Sequence, residues 1–264
     1  MKILVTGTTG YIGSQLLPMI QYHYRNATIL TCDVRDNLDY KDIAGQEFDL
    51  VFHFGAVSII MDSFRMADKM MAINALNLID FFQNNNIKRF IFPSTGAIYG
   101  DRDTPAKEEE ANWLGCISPY AQSKYIAEGI IRRMCPNHLI TRFGNVYGGN
   151  YTSRVERLAF THFQQDDPIV LHGGRQTRDF IHVTEICKAV IAGADRPVRG
   201  TFNLANGVPV LIRDVAQQFA RKRGVKIEFK EQRKGDVSYI VLDVEKARQA
   251  GLLPNKPFLN DYNS

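Results

Sequence analysis

The chain has 264 residues and a formal net charge of +4, from 32 lysines and arginines against 28 aspartates and glutamates. Hydrophobic residues make up 45% and charged residues 23%, so the composition is that of a globular protein and excludes a disordered or fibrous chain. The small charge gives no reason to expect a nucleic-acid partner, and no apolar run is long enough to span a membrane.

Short apolar runs alternate with helical patterns through the first half of the chain. The predicted buried strands are Ile3–Val5, Thr28–Cys32, Leu50–Phe54, Phe90–Phe92 and Leu139–Thr141. The predicted helices are Tyr11–Tyr24, with a kink at Pro18, Ala67–Gln83 and Pro119–Met134. Alternation of this kind predicts an α/β fold with a doubly wound parallel sheet that helices cover on both faces.

A glycine-rich turn, Gly7-Thr8-Thr9-Gly10-Tyr11-Ile12-Gly13, joins the first predicted strand to the first helix. Glycines there let the backbone approach a pyrophosphate, which the free N–H groups of the helix N-terminus then bind. Asp33 ends the second strand, where a carboxylate accepts the adenosine ribose hydroxyls and repels a 2′-phosphate. The turn therefore predicts a dinucleotide cofactor, NAD rather than NADP, although Arg35 leaves NADP open.

Tyr120 and Lys124 lie four residues apart, on one face of the helix predicted to start at Pro119. A free tyrosine has a pKa of about 10, and a neighbouring ammonium would bring that pKa toward working pH. Upstream, Ser94 and Thr95 follow a buried strand, at the end where parallel sheets present their ligands. Together these residues predict a proton-transfer site beside the dinucleotide.

In this order, the motifs resemble those of the extended short-chain dehydrogenase/reductase family, the NAD-dependent nucleotide-sugar epimerases and dehydratases. The resemblance covers nearly the whole chain. The motifs that carry it are Gly7-x-x-Gly10-x-x-Gly13, His53-Phe54-Gly55-Ala56, Ser94-Thr95 before Ile98-Tyr99-Gly100, Tyr120-x-x-x-Lys124, Arg142-Phe143-Gly144-Asn145-Val146-Tyr147-Gly148 and Arg178-Asp179-Phe180-Ile181-His182-Val183.

The resemblance implies catalytic roles for three residues. Tyr120 would be the general acid/base at the sugar hydroxyl, Lys124 would hold the nicotinamide ribose and lower the tyrosine pKa, and Thr95 would hydrogen-bond the reacting oxygen. The implied cofactor-binding residues are Gly7, Gly10, Tyr11, Ile12, Gly13, Asp33, Phe54, Gly55, Ala56, Asn74, Tyr120 and Lys124. The implied substrate-binding residues are Thr95, Asn145, Arg178 and Arg233, of which the two arginines would clamp the diphosphate.

Two positions depart from the family pattern. The dehydratases carry an acid just after the catalytic hydroxyl, and epimerases that invert next to the ketone often carry a cysteine there; this chain has Gly96 and Ala97. Cys116, in the loop before Tyr120, is interpreted as structural. The remaining chemistry is hydride transfer with one proton. We expect 4-epimerisation of a nucleotide-diphosphate sugar; alternatives are an NAD(P)H-dependent 4-ketoreductase and a non-catalytic dinucleotide sensor.

The segment after Asp33 is short for this family. Asp33-Val34-Arg35-Asp36 resembles both the acid of the second strand and the acidic motif that ends the third. We infer that one strand and its connection are missing, which leaves Asp33 on an edge strand. The fold prediction is a Rossmann-like sheet shortened by about one strand, with a small C-terminal substrate lobe.

We expect residues 1–150 to form mainly the NAD-binding domain and residues 151–264 mainly the substrate lobe, interleaved with the last strands of the sheet. The cysteines lie far apart, without metal-ligand spacing, which predicts free thiols, no metal site and a cytoplasmic protein. His53 and His182 are interpreted as buried structural histidines. The resemblance also implies a homodimer.

Overall fold

The computed structural model describes residues 1–33, 43–58, 63–149, 161–233 and 236–253. The strands are β1 (Lys2–Thr6), β2 (Thr28–Cys32), β3 (Glu47–Phe48), β4 (Leu50–His53), β5 (Asn86–Ile87), β6 (Phe90–Thr95), β7 (His138–Phe143), β8 (Asn145–Tyr147), β9 (Ile169–His172), β10 (Thr177–Arg178), β11 (Phe180–His182), β12 (Gly200–Leu204), β13 (Val210–Leu211), β14 (Ile227–Lys230) and β15 (Tyr239–Ile240). The α-helices are α1 (Tyr11–His23), α2 (Ala67–Met71), α3 (Asn77–Asn84), α4 (Pro119–Met134), α5 (Thr161–Gln165), α6 (Val183–Asp195), α7 (Ile212–Arg223) and α8 (Glu245–Gln249).

A six-stranded sheet in the order β12-β7-β6-β4-β1-β2 forms the centre of the molecule. Every pairing in it is parallel. From β1 the chain moves outward to β2 and then returns to β4 on the other side, so the strand order reverses between β1 and β4. Ligands of doubly wound sheets bind at the carboxyl ends of the strands beside such a reversal. The predicted fold class is confirmed.

Among the described residues, β2 is the outermost strand on its side of the sheet. Asp33 follows it directly and so stands, within the described ranges, at the edge strand where we expect this acid. The segment in which the missing strand was inferred begins at Val34, and residues 34–42 lie outside the described part of the chain.

Apolar side chains pack on both faces of the sheet, because its central strands are buried and carry alternating side chains to opposite faces. On one face, Leu16 and Ile20 of α1 pack with Ile186 and Val190 of α6. On the other face, the packed residues include Leu78 and Phe81 of α3 and Ala127 and Ile131 of α4. This covering on both faces holds the strand ends in fixed positions.

The helical segment predicted at Ala67–Gln83 is interrupted. A π-helical turn, Ala72–Leu76, separates α2 from α3. Apolar periodicity alone does not indicate a π-turn, and such turns frequently lie at functional sites. The predicted helix Tyr11–Tyr24 is observed as α1, which continues through Pro18.

A third apolar cluster consists of residues from the second half of the chain. Its members are Tyr147, Phe163, Ile169, Leu171, Phe180, Val215, Ala216, Phe219 and Ala220. The short parallel pair β9 and β14 lies beside it, with Leu171 opposite Phe229. The cluster is compatible with a C-terminal lobe, and the division at residue 150 stays a prediction. None of the helices in the described ranges has both the length and the apolar character that a bilayer crossing needs.

Candidate active site

The glycine-rich turn packs tightly against the loop that follows β4. Gly7 has a φ of +73°, and a Cβ at this residue would lie 2.4 Å from the carbonyl carbon of Phe54. A Cβ at Gly13 would lie 1.9 Å from the carbonyl oxygen of Gly7. Gly10 caps the N-terminus of α1 in an extended conformation, without a side-chain hydrogen bond. These glycines keep the turn compact and leave the helix N-terminus open to an anion, as a pyrophosphate requires.

Asp33 faces this turn. Its carboxylate accepts hydrogen bonds from the hydroxyl of Thr8 and, at 3.3 Å each, from the backbone N–H and the hydroxyl of Thr9. Asp33 is buried. The acid is therefore held at the phosphate turn, where its remaining lone pairs could accept ribose hydroxyls. Arg35, the residue that left NADP open, lies outside the described residues.

The loop after β4, which includes Phe54, Gly55 and Ala56, is fixed at both ends. The Gly55 N–H donates to the Thr6 hydroxyl at 3.0 Å. Asn74 accepts from the Val57 N–H at 2.8 Å and donates to the Val57 carbonyl at 2.9 Å. The Asn74 amide also donates to the Ser123 hydroxyl at 3.1 Å. Asn74, in the π-turn, thus joins this loop to α4.

Thr95 is the last residue of β6. Its hydroxyl accepts from the Ala97 N–H at 3.1 Å and so caps a 3₁₀ helix, Gly96–Tyr99. A Cβ at Gly96 would lie 3.1 Å from the side chains of Ile240 and Leu242. The position where the dehydratases carry an acid is therefore closed by apolar side chains.

Tyr120 and Lys124 lie on the first two turns of α4. Ser118 caps this helix by accepting from the Ala121 N–H at 3.2 Å, and Pro119 supplies the first residue. Tyr120 is half-buried, and its carbonyl accepts from the Ser123 hydroxyl at 2.8 Å. The helix start is thus rigid where the phenol must be positioned.

The Lys124 side chain is 3% exposed. Its ammonium donates to the carbonyl of Pro93 on β6 at 2.8 Å and lies 4.4 Å from the centre of the Phe92 ring. Burial lowers the pKa of Lys124 to about 7, and the nearby Glu128 carboxylate acts in the opposite direction. Such a lowered pKa of a lysine ammonium is typical of residues that take part in proton-transfer chemistry.

His53 and Cys116 are buried, as the sequence predicts, whereas His182 is only half-buried. Burial lowers the pKa of His53 to about 3, and its Nδ1 lies 3.2 Å from the Thr6 hydroxyl. His182 caps α6 by accepting from the Thr184 N–H at 3.2 Å. Burial raises the pKa of Cys116 to about 12, and its thiol donates to the Ile98 carbonyl at 3.6 Å.

Of the predicted substrate-binding residues besides Thr95, Asn145 lies on β8, Arg178 on β10 and Arg233 in the loop after β14. Arg178 is buried, and its guanidinium donates to Asp236 at 2.5 Å and to the Thr177 carbonyl at 3.0 Å. Arg233 is exposed, and its backbone carbonyl accepts from the N–H of Asp236, the residue that binds Arg178, at 3.2 Å. Asn145 donates its backbone N–H to the carbonyl of Asp179, the residue after Arg178, at 2.6 Å.

A buried network around Arg142 was not predicted. Arg142 is 1% exposed and donates to both oxygens of Glu128, from Nε at 2.9 Å and from Nη2 at 2.7 Å. Its Nη1 donates to the Tyr99 hydroxyl at 2.8 Å and to the Glu108 carbonyl at 2.7 Å. The segment Lys107–Glu110 is therefore partly structural. The sequence signal for Glu128 is its spacing along α4, since it lies four residues after Lys124 and four before Arg132.

Asp179 is a second functional candidate that the sequence left without a role. It is fully buried, and its carboxylate accepts from the backbone N–H groups of Asn206, Gly207 and Leu242 at 2.9 to 3.2 Å. Burial raises the pKa of Asp179 to about 7 against the effect of these bonds. This carboxyl joins three chain segments directly beside Arg178.

Comparisons with known proteins agree with this geometry. The model of the NAD dependent epimerase/dehydratase family matches residues 3–205. A putative UDP-glucose 4-epimerase of Methanocaldococcus jannaschii is 27% identical over 287 residues, which cover 96% of this chain and 93% of that protein.

Solved structures show the same fold. UDP-glucose 4-epimerase of Thermotoga maritima, with UDP-glucose, has a TM-score of 0.82 at 24% identity and covers 97% of this chain and 94% of that one. The dTDP-glucose 4,6-dehydratase DesIV of Streptomyces venezuelae, with NAD and TYD bound, has a TM-score of 0.84 at 21% identity, with coverages of 100% and 94%. The chain belongs to the NAD dependent epimerase/dehydratase family, as its motifs predict.

Proposed function

We propose that this protein epimerises a nucleotide-diphosphate sugar at C4, through a transient 4-keto sugar, with NAD as a tightly held cofactor. The observation that carries the proposal is the combination at the end of β6. The hydroxyl of Thr95, the phenol of Tyr120 and the buried ammonium of Lys124 belong to adjoining elements, whereas the next position, Gly96, is closed by apolar side chains. One acid/base without a second one suits inversion at a carbinol better than elimination.

The residues of the glycine-rich turn fit a dinucleotide. A Cβ at Gly7 or Gly13 would fill the space that a compact phosphate turn needs, and the buried Asp33 carboxylate supplies the acceptor for ribose hydroxyls. Tyr11 and Ile12, in the same turn, begin the helix whose N–H groups would meet the phosphates. The adjoining loop contains Phe54, Gly55 and Ala56, and Asn74 binds this loop through Val57. The bound NAD would supply the hydride acceptor and donor.

The proton steps belong to Tyr120, Thr95 and Lys124. Tyr120 takes the proton of the sugar 4-hydroxyl. It returns this proton after the 4-keto sugar has rotated, so that hydride comes back to the opposite face of C4. Thr95 donates a hydrogen bond from its hydroxyl to the reacting oxygen and keeps its proton. Lys124 in its ammonium form stabilises the phenolate and holds the nicotinamide ribose by hydrogen bonds.

The diphosphate of the substrate would be held by Arg178 and Arg233, with Asn145 beside it. Arg178 has N–H groups beyond those that it gives to Asp236 and Thr177, and a guanidinium fork matches phosphate oxygens. Relatives support this substrate class, since the Methanocaldococcus jannaschii protein is described as a putative UDP-glucose 4-epimerase.

Identification of the nucleotide released on denaturation tests the proposal. Near-stoichiometric NAD, followed by conversion between UDP-glucose and UDP-galactose without added cofactor, is the expected result. A protein that releases no nucleotide and consumes added NADH or NADPH with a 4-keto sugar would be a ketoreductase instead. Binding of dinucleotide without turnover of any nucleotide sugar would favour the sensor.

We also propose that the protein is a cytoplasmic homodimer. Large apolar side chains are exposed at Leu76, just before α3, and at Trp113, Leu114 and Ile117, in the loop before α4. Trp113 lies 6.5 Å from the Tyr125 ring of α4, so this surface continues onto the catalytic helix. A second copy would cover it. Analytical ultracentrifugation should give a dimer for the parent protein and a monomer for Leu114→Glu; a monomeric parent protein would contradict the proposal.

A further inference from the structure

Glu128 is a fully buried carboxylate one helical turn beyond Lys124. The two residues are four apart on α4 and therefore lie on the same face of the helix. Both carboxylate oxygens are occupied, by Arg142 at 2.9 and 2.7 Å and by Arg132 at 2.5 Å. A buried carboxylate with this many charged donors stays ionised, and the pKa of Glu128 is lowered: burial raises it, but Arg142, Ser94 and Arg132 together outweigh burial.

The partner of Glu128 connects the catalytic helix to the strand end that carries Thr95. Arg142 belongs to β7, and its Nη1 donates to Tyr99, four residues after Thr95. The Tyr99 hydroxyl donates onward to Asn203 of β12 at 2.6 Å. The Glu128 carboxylate is therefore held in one place by the sheet, not only by its own helix.

Lys124 needs a nearby negative charge, because burial favours its neutral form. The groups that face its ammonium from other elements are neutral: His53 on β4, and the Phe92 ring and Pro93 carbonyl on β6. The charged and titratable groups around the Glu128 carboxylate are Tyr99, Cys116, Lys124, Arg132, His138 and Arg142. Among them Glu128 is the negative charge, since burial keeps the tyrosine, cysteine and histidine neutral.

We propose that Glu128 is a positioning residue that keeps Lys124 protonated, and that Arg142 holds the Glu128 carboxylate in the position that this role requires. The inference rests on the proposed function for the role of the Lys124 ammonium at the nicotinamide ribose. Its consequence has a definite sign. Without the Glu128 charge the ammonium form of Lys124 is less stable, so Lys124 loses its proton at a lower pH. The hydrogen bonds from the ammonium to the nicotinamide ribose are then lost at a lower pH as well.

The test is the affinity for NADH as a function of pH, measured by calorimetry on protein freed of bound nucleotide. The parent protein should bind NADH less tightly as Lys124 deprotonates. In Glu128→Gln the midpoint of this decrease should move to lower pH by about one unit. Glu128→Asp keeps the charge and should keep the midpoint. Glu109→Gln removes an exposed carboxylate and is the matched control.

A purely structural role for Glu128 is separated by Arg142→Met, which disturbs the same buried pair but leaves the carboxylate in place. Both variants should lose thermal stability, yet only Glu128→Gln should lower the midpoint. An equal fall of the midpoint in the two variants would overturn the proposal, and so would a parent protein whose NADH affinity does not change with pH. Failure of the parent protein to convert any nucleotide sugar would instead contradict the epimerase proposal, because NADH binding does not depend on it.

Discussion

The two ends of the candidate site are built differently. At the Lys124 end, the charged side chains are buried and bound on several sides, and their partners lie in the central sheet. At the Arg178 end, one arginine is buried against Asp236, which is 30% exposed, and the other, Arg233, is exposed. The groups that we propose to react are thus held in fixed positions, whereas the proposed diphosphate site includes an exposed side chain, that of Arg233.

This difference has a physical reason. Proton transfer needs the donor and acceptor within hydrogen-bond distance, so misplacement is costly and a rigid support is useful. A diphosphate carries its charge over several oxygens and tolerates an adjustable cation. Substitutions at the two ends should therefore separate loss of turnover from loss of substrate affinity.

The largest effect is expected for Tyr120→Phe. Removal of the phenolic hydroxyl abolishes the acid/base group while the helix cap at Ser118 remains, so turnover should fall about 10²–10⁴-fold. NADH binding should remain nearly unchanged. Tyr125→Phe, on the same helix, is the control and should retain activity. A Tyr120→Phe protein with normal turnover would refute the acid/base assignment.

Next in size is Arg142→Met, which tests the buried support. The variant leaves the Glu128 carboxylate without its main partner, and breaking a buried ion pair costs about 3–5 kcal/mol of folding stability. Urea unfolding followed by circular dichroism measures this loss. Arg132→Met, which removes the more exposed partner of the same carboxylate, should cost less. Equal losses of folding stability in the two variants would show that the bidentate Arg142–Glu128 pair contributes no more than the Arg132–Glu128 pair.

Arg178→Ala tests the other end. Loss of charge-assisted hydrogen bonds to the diphosphate should weaken nucleotide-sugar affinity about 10- to 100-fold, with NAD affinity nearly unchanged. Calorimetric titration with UDP-glucose and with NADH separates the two. Arg175→Ala replaces an exposed neighbour and serves as the control. An equal loss of NAD affinity would mean that the arginine does not bind the substrate diphosphate.

The smallest effect is expected for Asp33→Ala. The carboxylate disfavours a 2′-phosphate, so its removal should reduce the preference for NADH over NADPH by about tenfold or less. Competition titrations with the two cofactors measure the ratio. If the preference is unchanged, another residue reads the ribose.

Local motifs carried most of what could be predicted. The strand–turn–helix pattern around Gly7, the spacing of Tyr120 and Lys124 and the short apolar strands depend on neighbouring residues. These elements lie within a residue or two of their expected bounds, except β6, which continues three residues beyond Phe92 to Thr95. The π-turn at Ala72–Leu76 was missed because its apolar pattern does not differ from that of an α-helix.

What the sequence by itself determined is the order of elements in the first half of the chain and the family, and it supplied the residues that we propose to react. These follow from short-range spacing and from residue chemistry. Only the tertiary structure decided the environment of those groups: that Glu128 meets Arg142 from a different element, that Asp236 pairs with Arg178, and that the side chains beside Gly96 are apolar. Burial and long-range pairing control the charge of a side chain, and neither is a property of the residues next to it in the chain.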